Sequence, residues 1–218
     1  MAGFVIAIDG PAASGKGTIA EGLGLAYGFP VLDSGLLYRA VGVTVRRQGG
    51  DPADPATAEA AARALDPSRL DDPDFRARDA GEAASLAAAH PGVRVALLDF
   101  QRRFAAQEPG AVIDGRDIGT VIAPEAPAKL FVTASPEIRA ERRYKQLIGR
   151  GEAVAYADIL ADIHRRDERD SGRAASPLVR AEDAALLDTS EMSIPQAADA
   201  ARRIVEQARA RWEISRKG

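Results

Sequence analysis

Short apolar runs alternate along the chain with longer stretches whose apolar positions recur at helical spacing. The runs predict five β-strands, at residues 3–9, 30–33, 110–114, 129–134 and 184–188. Amphipathic helical stretches separate the strands. The first helix is predicted over residues 15–27, where Gly28 and Pro30 provide a stop signal. Strands that alternate with helices in this way predict an α/β fold, with a parallel sheet covered by helices.

The segment over residues 49–91 follows a different pattern. Its first part is rich in Asp, Pro and Ala and has only a modest helical periodicity, over residues 56–65. After two turn signals, a second helix is predicted over residues 78–89. We interpret residues 49–91 as a small subdomain inserted into a single domain that spans residues 1–218.

Composition fits one soluble domain. The chain has 218 residues, of which 46% are hydrophobic, enough to bury a core in the size range of one α/β domain. No apolar run is long enough to cross a bilayer, and no charged region precedes the first short apolar stretch. The absence of cysteine excludes disulfides, thiolate metal sites and thiol catalysis. These features predict a cytoplasmic protein with no membrane partner.

The charge balance argues against a polynucleotide partner. A net charge of -3 lacks the excess of positive charge that nucleic-acid binders usually carry. Twenty-five of the 29 basic residues are arginine, a bias that either suits bidentate phosphate recognition or reflects genome composition. The same composition is compatible with a monomer, which we expect.

A glycine-rich segment between the first strand and the first helix has the spacing of a phosphate loop. It comprises Gly10, Pro11, Ala12, Ala13, Ser14, Gly15, Lys16, Gly17 and Thr18. Glycines allow the backbone to approach an anion, successive N–H groups point at it, and the helix presents its positive end to the same phosphates. The spacing arises by chance in roughly one chain in fifteen of this length, but the flanking strand and helix supply the expected context.

One position of this loop departs from the usual pattern. Gly17, rather than Ser or Thr, follows Lys16, so the hydroxyl is displaced to Thr18. We therefore predict no metal ion held by direct protein ligation.

Three further blocks accompany the loop. They read D-S-G-L-L-Y-R at residues 33–39, D-G-R-D-I-G-T at residues 114–120 and R-D-E-R-D at residues 166–170. With these blocks the chain resembles the bacterial cytidylate kinases over nearly its whole length, within the nucleoside monophosphate kinases. The resemblance implies transfer of a phosphoryl group from ATP to CMP or dCMP with Mg²⁺. It also implies a P-loop core, a mobile lid and a CMP-binding insertion, which here would be shortened because residues 49–76 show no strand pattern.

Two of the blocks contain candidates for acceptor binding. By pattern alone, Ser34 is an N-cap or, with Arg39, a ligand of an incoming phosphate. Asp114, Arg116 and Asp117 follow a strand at the edge where α/β sheets bind ligands, although a surface turn with an internal ion pair is the alternative. The resemblance assigns Ser34, Arg39 and Arg116 to CMP and places Asp117 at the cytosine.

The remaining acceptor candidates depend more on the resemblance. Arg166, Asp170 and Arg173 would share one helix face, a pattern that by itself indicates salt bridges more often than a site. The resemblance assigns the first two to the ribose and the third to the nucleotide. Ser85 and Arg94 are uninformative alone, and the resemblance places them in the base pocket.

The segment over residues 139–152 is predicted to form the lid. Arg139, Arg142 and Arg143 share a helix face and precede a Gly-Arg-Gly sequence that can act as a hinge. Lys16, Arg116, Arg142 and Arg143 form the predicted catalytic set, because phosphoryl transfer depends on cations that meet the charge of the γ-phosphate. A solvent-facing basic helix is the alternative for the lid arginines. His90 and His164 are expected to be structural.

Two rival functions remain at this point. A P-loop kinase could act on another small acceptor, such as UMP, AMP or shikimate. A nucleotide-binding switch would need no acceptor, but the chain has no guanine-reading N-K-x-D pattern and has more candidate anion-binding arginines than one nucleotide requires.

Overall fold

The fold is built on one parallel sheet. The computed structural model describes residues 3–77 and 79–216. Its strands are β1 Phe4–Asp9, β2 Val31–Asp33, β3 Gly110–Gly115, β4 Ala128–Thr133 and β5 Ala185–Asp188. They lie in the order β2-β3-β1-β4-β5, and every neighbouring pair is parallel. Each predicted strand is present to within one residue at either end, and the predicted α/β fold is confirmed.

Helices connect the strands and cover the sheet. They are α1 Lys16–Tyr27, α2 Ser34–Arg47, α3 Pro55–Arg63, α4 Ala80–Ala87, α5 Pro91–Ala105, α6 Pro136–Ile148, α7 Tyr156–Gly172 and α8 Ile194–Ser215. Shorter helical turns occur at Pro67–Arg69, Pro73–Arg76 and Ile118–Ile122. No helix of the described residues is long and apolar enough to span a bilayer.

Strand β1 lies at the centre of the sheet and is buried along its whole length. Ile6 and Ile8 belong to the core formed with α1 and α8, whereas Val5 and Ala7 belong to the core on the opposite face, which includes Ile113 of β3. A strand buried on both faces reads as an unbroken apolar run, which is why the sequence identifies β1 clearly. Its carboxyl end therefore emerges at the middle of one sheet edge.

The segment over residues 49–91 is helical. It contains α3, two short turns and α4, with no strand in the described part of this range. The predicted helix over residues 78–89 corresponds to α4, although Arg78 lies outside the described residues. Ala58 and Ala84 pack with Val41 and Val45 of α2, so this segment is fixed against the helix that begins at β2.

The start of α2 corrects one detail of the prediction. Asp33, not Ser34, is the N-cap, and its Oδ1 accepts a hydrogen bond from the amide of Leu36 at 3.2 Å. The helix begins one residue earlier than the N-cap interpretation assumed, so Ser34 is its first residue. The Ser34 side chain is therefore not the group that caps this helix.

Candidate active site

The phosphate loop connects β1 to α1 along a strained path. Gly10 has φ +153°, and a Cβ atom there would clash with the carbonyl oxygen of Val132. Gly15 has φ +90°, in the left-handed region that favours glycine. Ala13 also has a positive φ, of 58°, which is unusual for a residue with a side chain. The loop thus turns directly into the N-terminus of α1, where unpaired amides can meet an anion.

Lys16 is the first residue of α1 and faces the interior of the loop. Its Nζ lies 3.4 Å from the carbonyl oxygen of Pro11, to which it donates. The pKa of Lys16 is lowered to about 7, chiefly by burial and then by the charge of Arg116, while Asp114 and Asp33 oppose the shift. A buried ammonium with a lowered pKa gains stability when an anion arrives.

The outer carbonyls of the loop are held by α6 and by the residue after β5. Arg139 donates to the carbonyl of Ala12 at 3.3 Å, and Arg142 donates to that of Ser14 at the same distance. Thr189 Oγ1 donates to the Ser14 carbonyl at 3.1 Å. These contacts occupy the carbonyl side of the loop. Thr189 lies outside the sequence blocks, so no motif indicates this role.

The three arginines of α6 contact different parts of the protein. Arg139 forms a bidentate ion pair with Asp167 of α7, at 2.6 and 3.0 Å. Arg142 donates to the carbonyl oxygen of Thr189 at 2.6 Å. Arg143 donates to Gln146 Oε1 and faces a different cavity, of about 720 Å³. The structure therefore places two of them against the phosphate loop and separates the third.

A cavity of about 340 Å³ opens beside the phosphate loop, at the carboxyl ends of β2 and β3. All ten residues predicted for acceptor binding line it: Ser34, Arg39, Ser85, Arg94, Asp114, Arg116, Asp117, Arg166, Asp170 and Arg173. Lys16 and Gly17 of the loop line the same cavity. Part of the phosphate loop and all the residues predicted for acceptor binding therefore face one shared space.

A cluster of three arginines surrounds Asp170. Arg116 Nε donates to Asp170 Oδ2 at 2.9 Å, and nitrogen atoms of Arg166 and Arg173 lie 3.8 and 3.9 Å from its carboxylate. Burial alone would raise the pKa of Asp170, but the three guanidinium groups outweigh it and lower the pKa. Burial also lowers the pKa of Arg166 to about 10, and Arg116 adds to that shift. The cavity thus has an excess of buried positive charge.

Some buried donors of this cluster are unpaired. Arg166 Nε and both Nε and Nη2 of Arg173 have no hydrogen-bond partner among the described residues. Buried donors without partners are rare and indicate a ligand or water. Helix α7 ends at Gly172, so Arg173 lies at the C-cap with an extended backbone rather than on the helix face that the sequence predicted. It joins the cluster because the chain turns there.

Asp117 and Arg94 form a buried ion pair on another wall of the cavity. The Arg94 guanidinium carbon lies 5.4 Å from the centre of the Tyr38 ring, a cation–π distance. Burial raises the pKa of the Tyr38 hydroxyl, which keeps it protonated. Tyr38 belongs to one of the sequence blocks, but its identity alone gave no role, because the contact with Arg94 depends on the packing of α2 against α5.

Two carboxylates lie near Lys16. Burial raises the pKa of Asp114 to about 6, against the effect of Lys16. Burial would also raise the pKa of Asp33, but Arg39 outweighs it, donating to Asp33 Oδ2 at 2.7 Å, and lowers the pKa. Asp33 is a lining residue that the sequence analysis missed. Over residues 3–77 and 79–216, no three acidic or histidine side chains are grouped closely enough to hold a metal ion by themselves.

A comparison with solved structures finds the same fold in a distant protein. An uncharacterized protein from Eubacterium ventriosum ATCC 27560 superposes with a TM-score of 0.54, over 93% of this chain and 98% of that chain. At 16% identity the likeness concerns the fold alone.

Comparisons of sequence identify close relatives. The cytidylate kinase of Caulobacter vibrioides (strain NA1000 / CB15N) is 70% identical over 212 residues, which cover 97% of this chain and 100% of that protein. The cytidylate kinase of Xanthobacter autotrophicus is 65% identical over 207 residues, covering 95% of this chain and 99% of its own. Residues 6–208 also match the family described as cytidylate kinase. The resemblance that the sequence blocks indicated is thereby confirmed, and the chain belongs to the cytidylate kinase family of phosphotransferases.

Proposed function

We propose that this chain transfers the γ-phosphoryl group of ATP to CMP or dCMP, giving ADP and CDP or dCDP. Use of ATP follows from membership of the family. The observation that carries the proposal is the single cavity that contains Lys16 of the phosphate loop and all ten predicted acceptor residues. Two nucleotides that bind on either side of Lys16 would have their phosphates adjacent, which is the arrangement that phosphoryl transfer needs.

The donor phosphates would bind at the phosphate loop. Its inward amides and Lys16 match an anion, and the lowered pKa of Lys16 indicates a cation that lacks a full counter-charge. Mg²⁺ would supply further positive charge against the phosphates. Asp33 and Asp114 line the cavity near Lys16 and would be the carboxylates closest in chemistry to what Mg²⁺ needs, since a Mg²⁺ ion held mostly by phosphate oxygens and water commonly uses only one or two carboxylates.

The acceptor would occupy the arginine-rich part of the cavity. Arg39, Arg116 and Ser34 would bind the phosphate of CMP, since the guanidinium groups present planar donors to phosphate oxygens. Arg166 and Asp170 would contact the ribose. Their assignment is supported by the unpaired donor of Arg166 and by its position beside Asp170. Arg173 would contribute a further contact to the nucleotide.

The base would lie against Asp117, with Arg94 and Ser85 completing the pocket. Cytosine carries an exocyclic amino donor where uracil carries an acceptor. A carboxylate that Arg94 holds in place can accept from cytosine, whereas uracil would place two acceptors face to face. This arrangement would favour cytosine.

The chain's own residues would act by positioning and by charge. The acceptor oxygen is an anionic phosphate oxygen, so no general base or covalent nucleophile is needed. Lys16 and Arg116 would neutralise charge that spreads over the transferred group. Arg142 and Arg143 would join them when the lid over residues 139–152 closes. In the present structure Arg142 is bound to the Ser14 carbonyl and to Thr189, so closure would have to exchange these contacts for phosphate.

The direct test measures ADP release from magnesium-ATP with CMP, dCMP, UMP, AMP or no acceptor. Rapid release with CMP and dCMP and slow release with the others is expected. Equal release without an acceptor would indicate an ATPase or a switch. Release with another acceptor alone would assign a different kinase.

A variant tests the base assignment. Asp117→Ala removes the carboxylate, so the preference for CMP over UMP in kcat/KM should fall by about 100-fold, because a polar contact that reads a base edge contributes about 1–3 kcal/mol of discrimination. The matched control is Asp99→Ala, which removes a carboxylate from α5 that does not line the cavity. An unchanged ratio in Asp117→Ala would overturn the assignment.

The insertion over residues 49–91 would provide the CMP-binding walls, because Ser85 of α4 lines the cavity and Phe75 accepts a hydrogen bond from Arg39 through its carbonyl oxygen at 2.8 Å. A monomeric state and a cytoplasmic location remain predictions from composition. Sedimentation analysis of the purified chain tests the first.

A further inference from the structure

We infer that Asp9 is a positioning residue for acceptor recognition, because it caps the turn after β3 and so frees the Asp117 carboxylate to face the cavity. The inference rests on the proposed function and deepens it. Asp9 is the last residue of β1 and immediately precedes the phosphate loop. It does not line the cavity. Its effect on the acceptor would therefore act through Asp117.

The contact is short and buried. Asp9 Oδ1 accepts from the amide of Ile118 at 2.7 Å, and Asp9 Oδ2 accepts from the amide of Gly119 at 2.8 Å. Only 4% of Asp9 is exposed. These amides are the first two of the turn Ile118–Ile122, and amides at the start of a helical turn have no partner within it. Asp9 supplies the missing acceptors from a different strand.

The usual cap of such a turn would be Asp117 itself. It occupies the N-cap position, where an aspartate commonly accepts from the amides that follow. Its side chain makes no capping hydrogen bond, and its carboxylate pairs with Arg94 instead. Its backbone is also fixed from the other side, because its carbonyl oxygen accepts from the amide of Val121 at 2.9 Å.

The two aspartates therefore have different roles. Asp9 accepts the hydrogen bonds of the backbone amides, so the Asp117 carboxylate can pair with Arg94 and contact the base. Without a full acceptor at Asp9, one of the two buried amides would lack a partner. Asp117 occupies the N-cap position of the same turn, from which a carboxylate can accept from the amide of Gly119. Rotation of Asp117 towards that amide would remove it from the base pocket. Loss of Asp9 should therefore weaken the discrimination between bases, not only the stability.

The experiment compares kcat/KM for CMP and UMP in the wild type and in Asp9→Asn. Asparagine keeps the size but replaces one acceptor oxygen by an NH₂ group that faces a backbone N–H. We expect the CMP to UMP ratio to fall by about tenfold, through a higher KM for CMP, since one misplaced polar contact changes specificity on that scale. The KM for ATP should change by less than about threefold, because the variant is expected to weaken recognition of the acceptor base and not binding of the donor.

Two further variants keep the test decisive. Gly119→Ala adds a methyl group 3.2 Å from Lys129 Cδ and 3.3 Å from Asp9 Oδ2, so it disturbs the same contact mildly and should lower the CMP to UMP ratio by less than Asp9→Asn does. If Asp9→Asn does not fold, this variant decides the outcome. Val205→Ala removes buried volume from α8, away from the cavity, and should lower stability with the ratio unchanged.

The result that would overturn the inference is an unchanged ratio in Asp9→Asn and Gly119→Ala, or an equal fall in Val205→Ala. Failure of the proposed function is distinguishable, because the wild type would then show no preference for CMP at the outset.

Discussion

The phosphate loop and the acceptor cavity touch each other, yet they are built in different ways. The loop is one continuous segment, and its binding groups are backbone amides and a single lysine. Apart from Lys16, the cavity draws its charged side chains from β2, α2, β3, α5 and α7 and from the residues that follow β3 and α7. The loop needs a particular backbone path, whereas the cavity needs several distant elements to meet.

The two regions also differ in how their cationic side chains are paired when no nucleotide is bound. In the cavity the arginines are already ion-paired, with Asp33, Asp117 and Asp170 as partners. At the loop, Lys16 forms no ion pair among the described residues and donates a long hydrogen bond to the carbonyl oxygen of Pro11, with Asp33 and Asp114 close enough to favour its charge. Substrate phosphate should therefore have to compete with paired carboxylates in the cavity, whereas at the loop it meets a cation without a direct ion pair. A change in the loop should act on turnover, and a change in the cavity on stability and acceptor binding together.

The largest expected effect is at the loop. Lys16→Met removes the single cation of the loop and should lower kcat by about 10²- to 10³-fold, as does loss of one preorganised group that stabilises transition-state charge. Steady-state ADP release measures it. Lys16→Arg retains the positive charge but changes the shape of the side chain, so its kcat separates the contribution of charge from that of side-chain shape. Near-normal turnover of Lys16→Met would contradict the view that the loop acts on turnover.

The next effect should be at the acceptor side. Asp170→Asn leaves Arg116, Arg166 and Arg173 without their shared carboxylate and should lower the free energy of unfolding by about 3 kcal/mol, as expected when one partner of a buried ion pair is removed. The KM for CMP should rise as well. Urea unfolding and kinetics measure the two changes.

The control for Asp170→Asn is Glu213→Gln, which breaks the exposed pair with Arg209 on α8. It should change the free energy of unfolding by less than about 0.5 kcal/mol. Equal losses in both variants would contradict the view that the cavity is held by buried charge.

A smaller effect is expected on the number of protons that the protein takes up when it binds a nucleotide. The pKa of Lys16 is lowered to about 7, so at pH 8 much of the free protein has a neutral Lys16. Donor phosphates raise this pKa, because an opposite charge favours the ammonium. Binding of magnesium-ADP at pH 8 should therefore take up a proton, and binding at pH 5.5 should take up much less at this group.

Calorimetry in buffers of different ionisation enthalpy measures that uptake. Lys16→Met should lack it at pH 8. Proton uptake of equal size in the variant would show that Lys16 is not the group that titrates.

The smallest expected effect is on stability, and it separates the contribution of backbone conformation in the loop from that of the Ala13 side chain. Ala13→Gly relieves a positive φ of 58° but increases the entropy of the unfolded chain. These contributions are of similar size, about 1 kcal/mol each, so the net change in the free energy of unfolding should be small. Gly15→Ala, at φ +90°, should be clearly destabilising in the same urea assay. A large loss in Ala13→Gly would show that the methyl group has a packing role.

Prediction from sequence succeeded where the signal is local. The strand β1, the loop and α1 follow each other within 27 residues, so apolar run, glycine spacing and helical periodicity were sufficient. The residues predicted for acceptor binding were chosen through the resemblance, since Ser85 and Arg94 alone are ordinary helical residues, and the structure places all ten in one cavity. Of the two interpretations of Ser34, the N-cap is wrong, because adjacent Asp33 and Ser34 are both good caps and only the backbone path selects Asp33.

The sequence by itself determined the order of strands and helices, the phosphate loop and the family. These depend on residues that are neighbours along the chain or on fixed short motifs. Only the tertiary structure decided that Tyr38 supports Arg94, that Thr189 and Arg142 hold the loop, and that Asp9 caps the turn next to Asp117. Each of these contacts joins groups from elements far apart in the chain, so no local pattern of residue types can encode it.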